Sequence, residues 1–130
     1  MSKRPQADPA TARYKEKCNA ILLISPRIRY TGVMNRFGRM LAGGLRKGVT
    51  PMLKPEEARN EYFIEATRSM LRKNFENSIG RTEYTLTANE KVWISTIPSE
   101  DRIYFISIDK ETPIQDVMNI IDAARKMASK

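Results

Sequence analysis

Histidine is absent from the 130-residue chain. With it go the commonest general base, the commonest zinc ligand and the usual charge switch near neutral pH. Cysteine occurs once, at Cys18, so no disulfide can close within the chain and a reducing compartment is expected. Long apolar runs are missing too: Ile21–Ile24 is a run of four, far from the ~18 residues of a membrane span. The opening MSKRPQADPATA lacks the apolar stretch of a signal peptide. The expected location is the cytoplasm. Acid is nearly missing from the first part of the chain. Residues 1–54 hold twelve Lys and Arg against Asp8 and Glu16 alone, and residues 27–54 hold seven basic residues and no acid. The remainder is slightly acidic, and the net charge is +8.

What is present suffices for one domain with an ordinary core. A hydrophobic content of 41% argues against general disorder. Residues 1–8, polar and broken by Pro5, read as a flexible arm, and 9–130 as the domain. The first helix is expected over Thr11–Ile24, with a stripe of Tyr14, Cys18, Ile21, Leu22 and Ser25, stopped by Pro26. Ile28 to Leu45 reads as a hairpin around Asn35-Arg36-Phe37-Gly38, where Asn and Gly would supply positive φ. Tyr30 shares the register of Ile28, toward the core.

Pro55-Glu56-Glu57 opens a second helix running to about Asn77, with Gly80 as its stop and Tyr62, Phe63, Ala66, Met70 and Phe75 as its apolar face. Three strands follow: Thr82–Thr87, Lys91–Ile97 and the almost continuously apolar Arg102–Ile108, which suits a central strand covered on both faces. Thr112-Pro113-Ile114-Gln115 reads as a capping box starting the last helix. The fold class is α+β, ordered α-β-β-α-β-β-β-α. A five-stranded antiparallel sheet would carry the terminal helices on one face and the middle helix on the other.

That order, with Gly32-Val33-Met34-Asn35 running into Phe37-Gly38 and then Leu41-Ala42-Gly43, resembles the roadblock (dynein light-chain-like) domain, a relative of the longin and profilin-like folds. More closely, IRYTGVMNRFGRMLAGGLRKGVTPML, LRKNFENSIGRTEYTLTANEKVWISTIP and CNAILLISPRIR are similar to an archaeal family known as a domain of unknown function. The resemblance spans about residues 14–125. It implies a non-enzymatic module that pairs an edge strand and the middle helix across a two-fold axis, and that regulates or docks small Ras-like GTPases or serves as a scaffold. No catalytic site is carried over. The dimer contacts would come from Tyr62 and from Thr82, Tyr84, Thr85, Leu86 and Thr87. The last five lie on a strand with no proline, lysine or glycine to protect it as an edge.

The basic run Arg27, Arg29, Arg36, Arg39, Arg46, Lys47 and Lys54 has three readings: a solvated face, a contact for an acidic protein partner, or phosphate contacts in a nucleic-acid- or ribosome-associated protein. Gly43 and Gly48 have the spacing of a P-loop, but Val49 stands where lysine is required, so the glycines read as turn geometry. Cys18 on an apolar stripe reads as a buried inert thiol, because no histidine exists to activate it. Trp93 reads as core beneath a helix. Glu56, Glu57, Glu61 and Glu65 form an acidic helix edge without a metal-binding pattern, and the scattered methionines read as core filling. No catalytic residue, cofactor or metal is expected.

Overall fold

The computed structural model describes residues 9–130; the arm expected over residues 1–8 lies outside the described residues. The elements are α1 (Pro9–Leu22), β1 (Ile28–Asn35), β2 (Met40–Leu45), α2 (Pro55–Arg72), a 3-10 turn (Lys73–Phe75), α3 (Glu76–Ile79), β3 (Thr85–Ala88), β4 (Val92–Ser99), β5 (Arg102–Asp109) and α4 (Ile114–Ala128). The strands form one antiparallel sheet in the order β2-β1-β5-β4-β3. The expected order holds, with the short α3 extending the middle helix. β5 lies at the centre, paired on both sides, and residues 103–106 and 108 are buried. A strand covered on both faces has no solvent side, which is why RIYFISI does not alternate.

α1 and α4 close one face over Cys18, Ile21, Val33, Ile106, Val117 and Ile121. α2 covers the other over Met34, Ala66, Ile94, Ile103 and Phe105. Ile28 and Tyr30 serve opposite faces, contrary to the shared register read from alternation. The β1–β5 register shifts between them, and this irregularity turns Tyr30 onto the α2 side. There the Tyr30 ring lies across the paired Gly32 and Gly43. A Cβ at Gly43 would collide with the Tyr30 hydroxyl, and one at Gly32 would come within 2.9 Å of its ring. The two glycines make room for a tyrosine.

In the hairpin turn only Gly38 takes positive φ, at 86°. Asn35 acts through its side chain instead: Oδ1 accepts from the amides of Phe37 at 2.9 Å and Arg39 at 3.0 Å. The capping box at α4 does not form. Pro113 occupies the cap, and the Thr112 Oγ1 is buried without a partner. The second helix ends at Arg72, tightens into the 3-10 turn, and stops at Gly80, whose φ is 86°.

β3 starts three residues later than expected. The Thr96 amide points toward β3, donating to Thr85 Oγ1 at 3.3 Å. Two residues on, Pro98 would point the same way and has no N–H to give, so residues 82–84 find no ladder.

Candidate interaction surface

α2 buries only Glu65 and Ala66 fully. Tyr62, one turn before Ala66, also turns inward. Its ring stacks on Tyr30 at 6.4 Å and meets Phe105 edge-on at 5.1 Å. At about 100° per residue, Phe63, Ile64, Thr67, Met70 and Leu71 fall on a different stripe, facing away from the sheet. Phe63 is 62% exposed, Ile64 49%, Met70 45% and Leu71 58%, and beyond the helix end Phe75 is 52% and Ile79 72% exposed. The apolar face expected for this helix thus splits in two: Tyr62 and Ala66 face the core, while Phe63, Met70 and Phe75 face solvent. The signal lay in the pairs Phe63-Ile64 and Met70-Leu71, seven apart and out of phase with Tyr62 and Ala66.

The hairpin turn sits beside this stripe, because Gly38 packs so closely that a Cβ there would meet the Phe63 backbone at 2.8 Å. Phe37 is itself 62% exposed, with the Arg36 guanidinium 4.9 Å over its ring.

On the other flank of α2, a cavity of about 230 Å3 opens between the helix and the β3 edge, lined by Glu65, Arg68, Arg72, Tyr84, Thr85 and Thr96. Arg68 Nη1 donates to the buried Glu65 Oε1 at 3.2 Å. Burial and the neighbouring Glu65 hold the Glu61 carboxyl above the usual carboxylate range. β3 is an edge strand with one side unpaired. Thr85 shares a hydroxyl–hydroxyl bond with Thr96, Tyr84 stands under the Arg125 guanidinium at 5.7 Å, and Leu86 packs toward the α4 side. Thr82 and Thr87 are half-buried, Thr82 lying just before the strand and Thr87 paired with Ile94.

The seven basic residues do not form one patch. Arg36 and Arg39 are exposed at the hairpin tip. Arg27, Arg29, Arg46 and Lys47 gather at the other end, about 25 Å away along β1, and Lys54 stands at the N-cap of α2. Arg46 is half-buried and engaged: Nε donates to the Ile28 carbonyl at 2.6 Å, and Nη2 donates to the carbonyls of Ser25 at 2.7 Å and Leu22. Arg29 bonds Asp109 at 3.3 Å and the Thr50 carbonyl at 2.8 Å. Arg27, Lys47 and Lys54 remain exposed.

Little of this surface suits bond-breaking chemistry. Cys18 is 1% exposed and burial pushes its thiol up to about 11, away from the nucleophilic form. Gly43 and Gly48 lie on a strand and in a turn, and α2 begins only at Pro55, too far on for its first turn to complete a phosphate cradle with them. Trp93 packs against the α4-side core and donates Nε1–H to the Lys110 carbonyl at 3.2 Å. Among the described residues, no three Cys, Asp or Glu side chains converge on a metal position. No helix among them is long and apolar enough to cross a membrane.

A family profile described as a family of unknown function (DUF6659) matches residues 8–127. The chain belongs to the DUF6659 family. No curated protein sequence matches this DUF6659 chain. Solved structures do resemble it in fold. The gliding protein MglB from Thermus thermophilus superposes with a TM-score of 0.73 at 15% identity, covering 98% of this chain and 96% of that one. A Roadblock/LC7 domain from Streptomyces avermitilis gives 0.63 at 8% identity, over 86% and 91% of the two chains. Schizosaccharomyces pombe profilin gives 0.57 at 14% identity, over 87% and 94%. The fold is therefore roadblock-like, within the wider profilin-like group, as the GVMNRFGRMLAGG stretch implied.

Proposed function

We infer that this protein is a non-enzymatic, homodimeric binding module that docks or regulates a small Ras-like GTPase or a related signalling protein. The observation that carries the reading is the outward apolar stripe of α2, together with the open β3 edge on the helix's other flank. Five side chains, Phe63, Ile64, Met70, Leu71 and Phe75, are each about half exposed. Covering the exposed half of each contributes roughly 1 kcal/mol. A two-fold axis uses every one twice, so the gross gain is on the order of 10 kcal/mol, comparable with what association costs. The four residues of β3 add only a few hydrogen bonds at about 1 kcal/mol each. The helix supplies most of the affinity and the strand fixes the register.

The GTPase part of the reading is supported by the roadblock resemblance. The hairpin tip, with Arg36, Phe37 and Arg39 beside the α2 stripe, offers the cations and exposed aromatic that such a partner would meet. The separation of the basic residues into two groups favours a protein contact over a continuous phosphate-binding groove.

Light scattering on the purified protein tests the first half. A dimer is expected for the wild type, and a monomer for Leu71→Asp and for Thr85→Pro; a wild-type monomer, or dimers in both variants, overturns it. Affinity capture from native lysate, with and without nuclease, tests the second. A GTPase retained after nuclease and lost on Arg36→Glu/Arg39→Glu supports it. Bound material that disappears with nuclease shifts the reading to nucleic acid.

A further inference from the structure

The end of the sheet opposite the hairpin tip brings two loops together. One links α1 to β1, the other links β2 to α2. The Arg46 side chain reaches from the second loop to the carbonyls of Leu22, Ser25 and Ile28, and Arg29 reaches from β1 to the Thr50 carbonyl. These bonds fix what the loops present outward. Leu23 is 86% exposed, Met52 49%, Leu53 38% and Leu45 36%. The same two loops carry the exposed Arg27, Lys47 and Lys54, none of them ion-paired among the described residues. The nearby acids are few. Asp109 is paired with Arg29, Glu57 turns back to accept the Lys54 amide at 3.0 Å, Glu56 and Glu111 are exposed at the margins, and Glu90 is exposed in the β3–β4 turn two strands away.

We propose that this end is a docking surface for an anionic lipid bilayer. Scattered exposed leucines are ordinary; here four aliphatic side chains and three cations stand on or beside two loops that Arg46 and Arg29 brace together, and that pairing decides the chemistry. Cations alone would suit RNA, DNA or an acidic protein, but phosphate contacts give exposed aliphatic side chains no partner, and single strands stack on aromatics, which these two loops do not carry. A bilayer interface takes both groups together: lysine and arginine meet lipid phosphates, while leucine and methionine enter the acyl boundary. The two arginine braces hold the loops in the docking arrangement beforehand, so little ordering accompanies binding. The inference does not depend on the dimer.

Flotation of the nuclease-treated full chain with vesicles tests it. Vesicles of phosphatidylcholine mixed with phosphatidylserine in equal parts should carry the protein, and phosphatidylcholine alone should not. Each cation near such a surface contributes about fivefold, so Arg27→Gln/Lys47→Gln/Lys54→Gln should weaken binding on the order of a hundredfold. Leu23→Ser should weaken it by roughly tenfold. Arg36→Gln/Arg39→Gln, at the far tip, should change it by less than about twofold. Thermal melting identifies any variant that has lost its fold; Leu23 is so exposed that its variant remains a valid test if the triple variant fails. Absence of wild-type flotation overturns the proposal. So does equal weakening by the two sets of charge changes, or an unchanged Leu23→Ser. Retained RNA affinity that the triple variant loses, without flotation, would assign the end to nucleic acid.

Discussion

The two faces of the sheet are finished differently. Under α1 and α4 lies a closed core with Ile21, Val33, Ile106, Val117 and Ile121 at or near zero exposure. Under α2 the buried set is smaller, and the helix turns Tyr62 and Ala66 inward but Phe63, Ile64, Met70 and Leu71 outward. A single helix cannot both seal a sheet face and end in solvent unless its far side is polar. α2 breaks that rule and α4 obeys it: four of its five fully buried positions, Val117, Ile121, Ala124 and Ala128, fall at helical spacing, and its far side carries Asp116, Asn119, Asp122 and Lys126. The closed face accounts for the fold. The open face accounts for what the fold has left to offer another molecule.

The largest effect expected is on the closed face. Ile121→Ala should cost about 2–5 kcal/mol in urea unfolding, at any protein concentration. Phe63→Ser on the outer stripe should leave the stability of the isolated subunit within about 0.5 kcal/mol while making unfolding less dependent on protein concentration. If both behave alike, the faces are not separate in function.

Both faces were legible in sequence to different depths. The α4 stripe and the continuous run of β5 could be read because burial follows period or length alone. The division of α2 was legible only as phase: Phe63 and Met70 look as apolar as Tyr62, their offset from Tyr62 and Ala66 marks two stripes, and only the third dimension decides which stripe meets the sheet. The same limit applies to Arg46. Its charge suggested a partner, but the carbonyls of Leu22 at the α1 end, Ser25 in the turn after it and Ile28 at the start of β1 claim the side chain. Tyr62, expected at a subunit contact, is held inward by Tyr30 and Phe105. Alternation also misassigned Tyr30, because a bulge changes the count without changing any residue.

A smaller effect probes the edge of the open face. Gly43→Ala should destabilise by about 1–3 kcal/mol as its Cβ meets the Tyr30 hydroxyl. Tyr30→Phe in the same chain should restore part of the loss; a strictly additive double variant in a denaturant cycle would mean that the glycine serves only the backbone.

The smallest effect concerns Glu61. Its carboxyl is raised in the fold by burial and Glu65, so ionising it disfavours the native state. That relation is relaxed at low pH and grows as pH rises through the folded value. Glu61→Gln should therefore stabilise the protein at neutral pH by at most about 0.5 kcal/mol, because the site is partly solvated. The gain should vanish in acid below the ordinary carboxylate range. A gain that instead increased toward acid would place the strain elsewhere.

The Arg46 side chain has a consequence for the order in which the molecule comes apart. It joins Leu22 to Arg46, closing a loop of 24 residues in a chain whose lone cysteine can make no crosslink. A loop held this way behaves as a reversible crosslink, limiting how far α1 and the first hairpin can stray from one another while it holds. Releasing one guanidinium frees the end of α1, the entry to β1 and the exit from β2 together. These segments should then open as one cooperative unit, and Arg46→Lys, whose compact ammonium lacks the spread of the planar fork, should hold them less well.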